Sequence, residues 1–574
     1  MATARKATRF LSFLFLMTAA AASVPAFSPS SSATRESAAT SREEREKALH
    51  ALNRLTFGPR PGDVDRVLDT GLARWIDAQL KPEAITDPAM AARLGGLPTL
   101  AMSSEEIFNV YEKPIREARR QRRLLAGNAA MSDAAAGTED LREREERDRI
   151  PPEKRPRRVI EELSTARVLK AVYSERQLNE VLVDFWMNHF NVYAAKGLDR
   201  VFITSFERDV VRPRIWGRFE DLLLATAKSP AMLFYLDNAQ SVSEPENRPS
   251  GRASGGRGAP ADAPMLDSAP PVRPKGGLNE NYARELMELH TLGVDGGYTQ
   301  KDVTELARVL TGWSIARDGG GTFVFRARVH DTRVKTVLGR TFPAGGGIEE
   351  GEEMIRRLAR HPETARHIAF KLAQRLVSDA PPPALVDRVA KKFLATDGDL
   401  RQTVRAVLES PEFFDRSSYR AKVKSPFEYV VSAIRATGAE TDAGIPLLKQ
   451  IAQMGEPLYL CQPPTGYSDA ASAWVNTGAL VSRMNFALAL SANKLPGTFV
   501  DVAHLIPPAD AADPGRSLDA LARVLISGDL TSETRATIAK QLETRSAPAD
   551  DPSANTQVPL ISGLILGSPE FQKQ

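Results

Sequence analysis

Apolar side chains return at three- to four-residue steps along almost the whole of this chain, and that period limits the fold more than any other feature. Val64, Val67, Leu68, Leu72, Trp75, Ile76 and Leu80 are one such series. At about 3.6 residues per turn they form a single stripe that needs a core to cover it. Alternation with a period of two is confined to Thr322–Arg328 and Arg333–Leu338, where a small β-hairpin near 322–338 is expected. The chain should therefore be mainly α, a large multi-helix globular body with that hairpin and long flexible insertions.

Cys461 is the only cysteine, so no intramolecular disulfide can form and stability has to come from packing. Its neighbours Leu458, Tyr459, Leu460, Pro463 and Pro464 favour a buried, inert thiol over a nucleophile. The 76 Lys and Arg residues stand against 72 Asp and Glu, with the two signs interleaved, so a nucleic-acid partner has no support.

Arg5, Lys6 and Arg9 precede the apolar run Phe10–Ala22, and Val24-Pro25-Ala26 places small residues where a signal peptidase cuts. Residues 1–26 are expected to be a signal peptide, which makes the protein periplasmic or secreted. The run is shorter than the ~20 residues a bilayer span requires, and no membrane span is expected after cleavage. Beyond it the sequence predicts a flexible linker over 27–44 and a single helical domain over 45–540, then a linker over 541–557 and a last helix over 558–574. Two stretches of the domain, about 112–158 and 241–276, are too charged or too rich in Pro, Gly and Ser to bury and should be insertions. The second leads directly into the most polar helix of the chain, as a lid over a site or a neutral insertion would.

That helix lies in GLNENYARELMELHTLGVDGGYTQKDVTELARVLTGW, from Gly277 to Trp313. With Asn279–Leu292 helical, Asn281, Arg284, Glu285 and Glu288 share one face, and His290 lies opposite with Ala283 and Leu286. Glu285 and Glu288, one turn apart, are suited to ligating a divalent metal or to dividing acid and base roles, with Arg284 holding an anionic substrate group. The competing reading pairs Arg284 with Glu288 inside a buried structural network. Either way the face should point inward. Gly293 and Gly296-Gly297 then turn the chain, and Thr299 and Asp302 form a capping box for the next helix.

A second polar helix, in QLNEVLVDFWMNHFNVY from Gln177, carries Asp184 and Asn188 one turn apart, with His189 further round among aromatic residues. His330-Asp331, followed by Lys335, forms a third cluster. The candidate catalytic residues are thus Glu285, Glu288, Arg284 and His189, and the candidate metal ligands are His189, Glu285, Glu288 and His330.

VDFWMNHFNVY at Val183, the Gly277 segment, HDTRVKTVLG at His330, HPETARHIAFKLAQRLV at His361, TDGDLRQTVRAVLESPEFF at Thr396 and KVKSPFEYVVSAIRA at Lys422 resemble a large bacterial family, domain of unknown function 1800 (DUF1800). The resemblance runs from about His50 to Leu488, while the Glu112 and Ser241 stretches are longer than the family pattern. It implies an exported, predominantly helical protein, and a functional partnership with a co-exported protein related to sulfatases and alkaline phosphatases. It carries over no catalytic residue.

Two functions follow as expectations. One is an exported hydrolase, metal-assisted or carboxylate-based, acting in the cell envelope. The other is a non-catalytic accessory or binding protein in which the same polar residues are internal struts. A hydrolase requires residues distant in sequence to converge in a cleft, whereas struts require them to be fully paired and closed to solvent.

Overall fold

A computed structural model describes residues 31–125, 151, 154–243, 277–316, 321–543 and 557–574. The expected signal peptide at 1–26 lies outside them, as do most of the 541–557 linker and much of both insertions. The described residues fall into two units, divided between Glu46 and Lys47. Helix Ser31–Leu55 begins within the span expected to be a flexible linker, where Ala, Glu and Arg favour helix.

The larger unit is a helical body, and helix accounts for 62% of the described residues against 4% strand. Helix Pro426–Thr437 is buried at every position, as expected of a helix enclosed on all sides. Its start is tightly specified. Ser425 and Glu428 form a capping box, Pro426 sits at the first helical position, and Gly438 ends the helix in the left-handed region at φ 62°. Because nothing on this helix faces water, its charged residues Glu428 and Arg435 must find partners inside the protein. Helices Arg157–Tyr173, Gln177–His189 and Pro362–Leu376 each bury most of their residues in the same core.

Strands are few and differ from the expected hairpin. Phe323–Phe325 pairs back with Trp313–Ile315, while Lys335–Val337 pairs with Arg340–Phe342. The second hairpin turns on Leu338 and Gly339, both at positive φ as a two-residue primed turn requires. The alternating segments are therefore strands whose partners lie elsewhere. Glu440–Thr441 and Thr498–Phe499 make a third two-stranded pair. Among the described residues, no helix is long and apolar enough to cross a membrane.

The polar helix is shorter than its periodicity suggests. It spans Asn281–Glu288 and then widens into π-type bonds between residues five apart, His290 N to Glu285 O and Leu292 N to Met287 O. Thr299 and Asp302 do form the expected capping box.

Candidate active site

Segments far apart in sequence meet around a narrow cleft of about 40 Å³, room for very few water molecules. Helix Gln177–His189 contributes Asp184, which takes one guanidinium on each oxygen: Arg167 binds Oδ1, and Nη2 of Arg375 donates to Oδ2 at 3.1 Å. Arg375 is a hub. Its Nη1 lies 2.8 Å from Glu428 Oε1 and 4.0 Å from Asp469 Oδ1, and Asp469 Oδ2 accepts from Lys371 Nζ at 3.2 Å. Arg167 is further held over the rings of Tyr459 and Phe427, at 5.1 and 5.4 Å from their centroids. Its buried Nε has no acceptor among the described residues.

The far wall is the loop from Gly455 to Trp474. Tyr459 adopts φ 61°, a left-handed conformation uncommon for a bulky side chain. It is locked there by its hydroxyl on Glu207 and by its carbonyl, which accepts from Ala194 N at 3.0 Å. Gly466 permits the closest approach of loop and helix, since a Cβ there would stand 2.4 Å from the Asn188 carbonyl oxygen. That approach lets Asn188 clasp Tyr467 twice, accepting from its N at 2.7 Å and donating to its carbonyl at 2.8 Å.

Glu456 stands at this wall, 7% exposed, with Oε2 accepting from Phe427 N at 2.8 Å. Burial, reinforced by the nearby Asp184 charge, pushes its carboxyl up to about 7. A carboxyl that exchanges its proton near neutrality, beside a carboxylate bridged by two arginines, is the arrangement acid–base chemistry uses. Cys461, at the same loop, is buried, and its thiol is pushed up to about 11, which fits an inert sulfur.

The residues expected from sequence to carry the site are placed differently. Arg284, Glu285 and Glu288 do share a face, but it is half-buried at the surface instead of pointing inward. Arg284 pairs with Glu280 at 3.5 Å and donates to Gln300 at 2.8 Å, so the expected pairing with Glu288 does not form. A helical side chain leans toward the N-terminus of its helix, which aims Arg284 at Glu280. Glu288 accepts from the Tyr298 hydroxyl at 3.3 Å, and burial together with the Glu288 charge raises the Glu285 carboxyl above its ordinary range.

His189 faces the core on the side of its helix away from Asp184. Its Nε2 lies 3.2 Å from the carbonyl of His290, and its ring packs against Phe185, Trp186 and Phe190. Burial holds it well below the ordinary histidine range, so it is a neutral strut. His330 is enclosed elsewhere, with Nδ1 at 2.8 Å from the Thr311 carbonyl and Nε2 at 3.3 Å from Glu350, which also binds the fully buried Lys335 at 2.9 Å. The metal set His189, Glu285, Glu288 and His330 is therefore not assembled. Among the described residues no three His, Cys, Asp or Glu side chains group to hold a metal ion.

Sequence reasoning singled out Asp184 and Asn188 but missed Arg167, Arg375, Glu456 and Asp469. The one available signal was the run from Gly455 to Trp474, which breaks the helical period and is dense in Gly, Pro and aromatic residues.

Comparison with curated proteins and with solved structures finds no match. The family model described as "Protein of unknown function (DUF1800)" matches residues 50–573, nearly the whole chain, and the chain belongs to that family.

Proposed function

We propose that this chain is an exported hydrolase of the cell envelope whose chemistry is carboxylate-based and centred on Glu456. The observation that carries the proposal is the convergence, in one cleft, of Asp184, Glu456, Asp469, Arg167 and Arg375 from four separate stretches of sequence. In the proposed reaction, unprotonated Glu456 takes a proton from a water molecule as the water oxygen bonds to the carbon of the scissile bond. The same proton passes to the leaving group as that bond breaks. The unpartnered Nε of Arg167 stabilises negative charge that develops in between. Asp184 fixes both arginines and, by its own charge, helps set the proton affinity of Glu456.

A test is to incubate the purified protein with isolated envelope polymers and identify the released fragments by mass spectrometry. The proposal predicts release by the wild type and a loss of at least ~100-fold in Glu456→Gln with the fold intact. Equal release by both proteins, or none from any polymer, would overturn it.

A second reading is supported by the Glu285 face. Arg284, Glu285 and Glu288 are half-exposed and are not among the residues that line the Asp184 cleft. They suit a polar docking stripe for a co-exported partner of the sulfatase and alkaline-phosphatase kind. Co-purification of such a partner, lost on Glu285→Lys with Glu288→Lys, would favour that reading.

A further inference from the structure

The hub Arg375 is held on one side by Glu428, and Glu428 is itself held from the end of the chain. Residues 572–574 run antiparallel to 422–424: Gln574 N donates to Lys422 O at 2.9 Å, Lys422 N to Gln574 O at 3.3 Å, and Lys424 N to Gln572 O at 2.9 Å. Phe571 anchors this strand, 2% exposed, with its ring 5.9 Å from that of Tyr429 and 4.1 Å below Lys424 Nζ. The pairing carries the Gln574 side chain, 5% exposed, into the interior, where Nε2 donates to Glu428 Oε1 at 3.1 Å. Only this orientation of the amide is chemically sound, since its oxygen would otherwise face a carboxylate. Oε1 of Glu428 is the atom that also receives Arg375 Nη1, at 2.8 Å, while Oε2 accepts from Ser425 N at 2.8 Å.

We propose that Gln574 is a positioning residue of the cleft, fixing Glu428 and through it the guanidinium of Arg375 that holds Asp184. The proposal rests on reading this cleft as the active site, but Gln574 and Glu428 lie behind the cleft and are not among the residues that line it. The order is Gln574 to Glu428 to Arg375 to Asp184, with each link a hydrogen bond or ion pair of 3.1 Å or less. An amide serves where a lysine would not, because it adds a donor to Glu428 without competing with Arg375 for its charge.

The test uses Gln574→Met in the full chain, which keeps the side-chain bulk and removes the donor. The readouts are the hydrogen-exchange rate of the Arg375 Nε–H group and the titration of Glu428, both by NMR. Faster exchange at Arg375, by about tenfold or more, and a higher Glu428 midpoint are expected, because that carboxyl is now held low partly by Gln574. Glu428→Gln should speed the same Arg375 exchange, and the double variant should do so no more than the larger single effect. Unchanged exchange and titration in Gln574→Met, or additive effects in the double variant, would overturn the proposal even if melting temperatures shift. Neither readout needs a substrate, so failure of the hydrolase reading, seen with Glu456→Gln, is distinguishable from failure of this one.

Discussion

Arg375 Nη2 donates to Asp184 Oδ2 at 3.1 Å across 191 residues of sequence, and this bond joins helix Pro362–Leu376 to helix Gln177–His189 at the edge of the cleft. Neither side chain is more than 13% exposed, so the pair is a buried one. Arg375→Ala leaves Asp184, Glu428 and Asp469 without the cation they share. A loss of ~3–5 kcal/mol is expected, read by urea unfolding. Arg375→Met, which removes the charge but keeps the stem, should lose nearly as much, because the cation lost from between three buried carboxylates and not the missing volume dominates the cost.

Glu456 makes a prediction of opposite sign. Its folded-state proton affinity, near 7, is higher than that of an unfolded glutamate near 4.5, so its favourable contribution is complete below pH 4.5. It is lost as pH rises through 7, at a cost of ~3 kcal/mol. Glu456→Gln lacks this dependence. The variant should therefore be more stable than wild type at pH 8 by up to that amount, with the difference shrinking toward pH 5, as measured by unfolding at each pH. A carboxyl held in the interior gains stability when its charge is removed.

Four histidines act in the other direction. Burial, the main cause at each, pushes His50 and His290 to about 3 and His367 to about 4, and holds His189 well below 6.5. Their contribution is present above pH 6.5, the unfolded value, and is lost as pH falls toward their folded values. Four groups outweigh the opposing carboxyls of Glu456, Asp199 and Glu285, which burial raises, so stability should fall by about 2 kcal/mol between pH 6.5 and 5. His290→Leu, at a ring whose two nitrogens have no partner among the described residues, should reduce that slope by about one proton.

The surface placement of Glu285 and Glu288 gives a plain contrast. Each lies half-exposed, and the Glu285 carboxyl is raised by burial and by its neighbour. Glu285→Ala and Glu288→Ala should each change stability by less than about 1 kcal/mol and leave the proposed hydrolysis intact. Thermal unfolding and the polymer-release assay check both.

The helical body could be read from the sequence because its signal is local: a stripe such as Val64 to Leu80 repeats every turn and needs no knowledge of what covers it. The Thr299–Asp302 capping box was equally legible, since its partners are three residues apart. The site was not. Asp184 and Asn188 stood out as polar residues on a buried helix, but their partners Arg375 and Tyr467 lie about 190 and 280 residues away, and no spacing rule reaches that far. Local density misled in the Asn281–Glu288 helix. Arg, Glu and Glu at one-turn spacing look the same whether the face is turned to a cleft or to solvent, and the apolar residues Tyr282, Ala283, Leu286 and Met287 took the inner side. His189 shows the same limit within a single helix, where the ~100° of rotation from Asn188 to His189 separates the wall of the cleft from the core.

The proposed chemistry requires Glu456 to be a carboxyl poised near neutrality by its burial and by Asp184. Titrating that carboxyl by carbon-13 NMR, in wild type and in Asp184→Asn, tests this most directly. A midpoint near 7 that falls when the Asp184 charge is removed is predicted. A midpoint near 4.5 in both proteins would contradict the account.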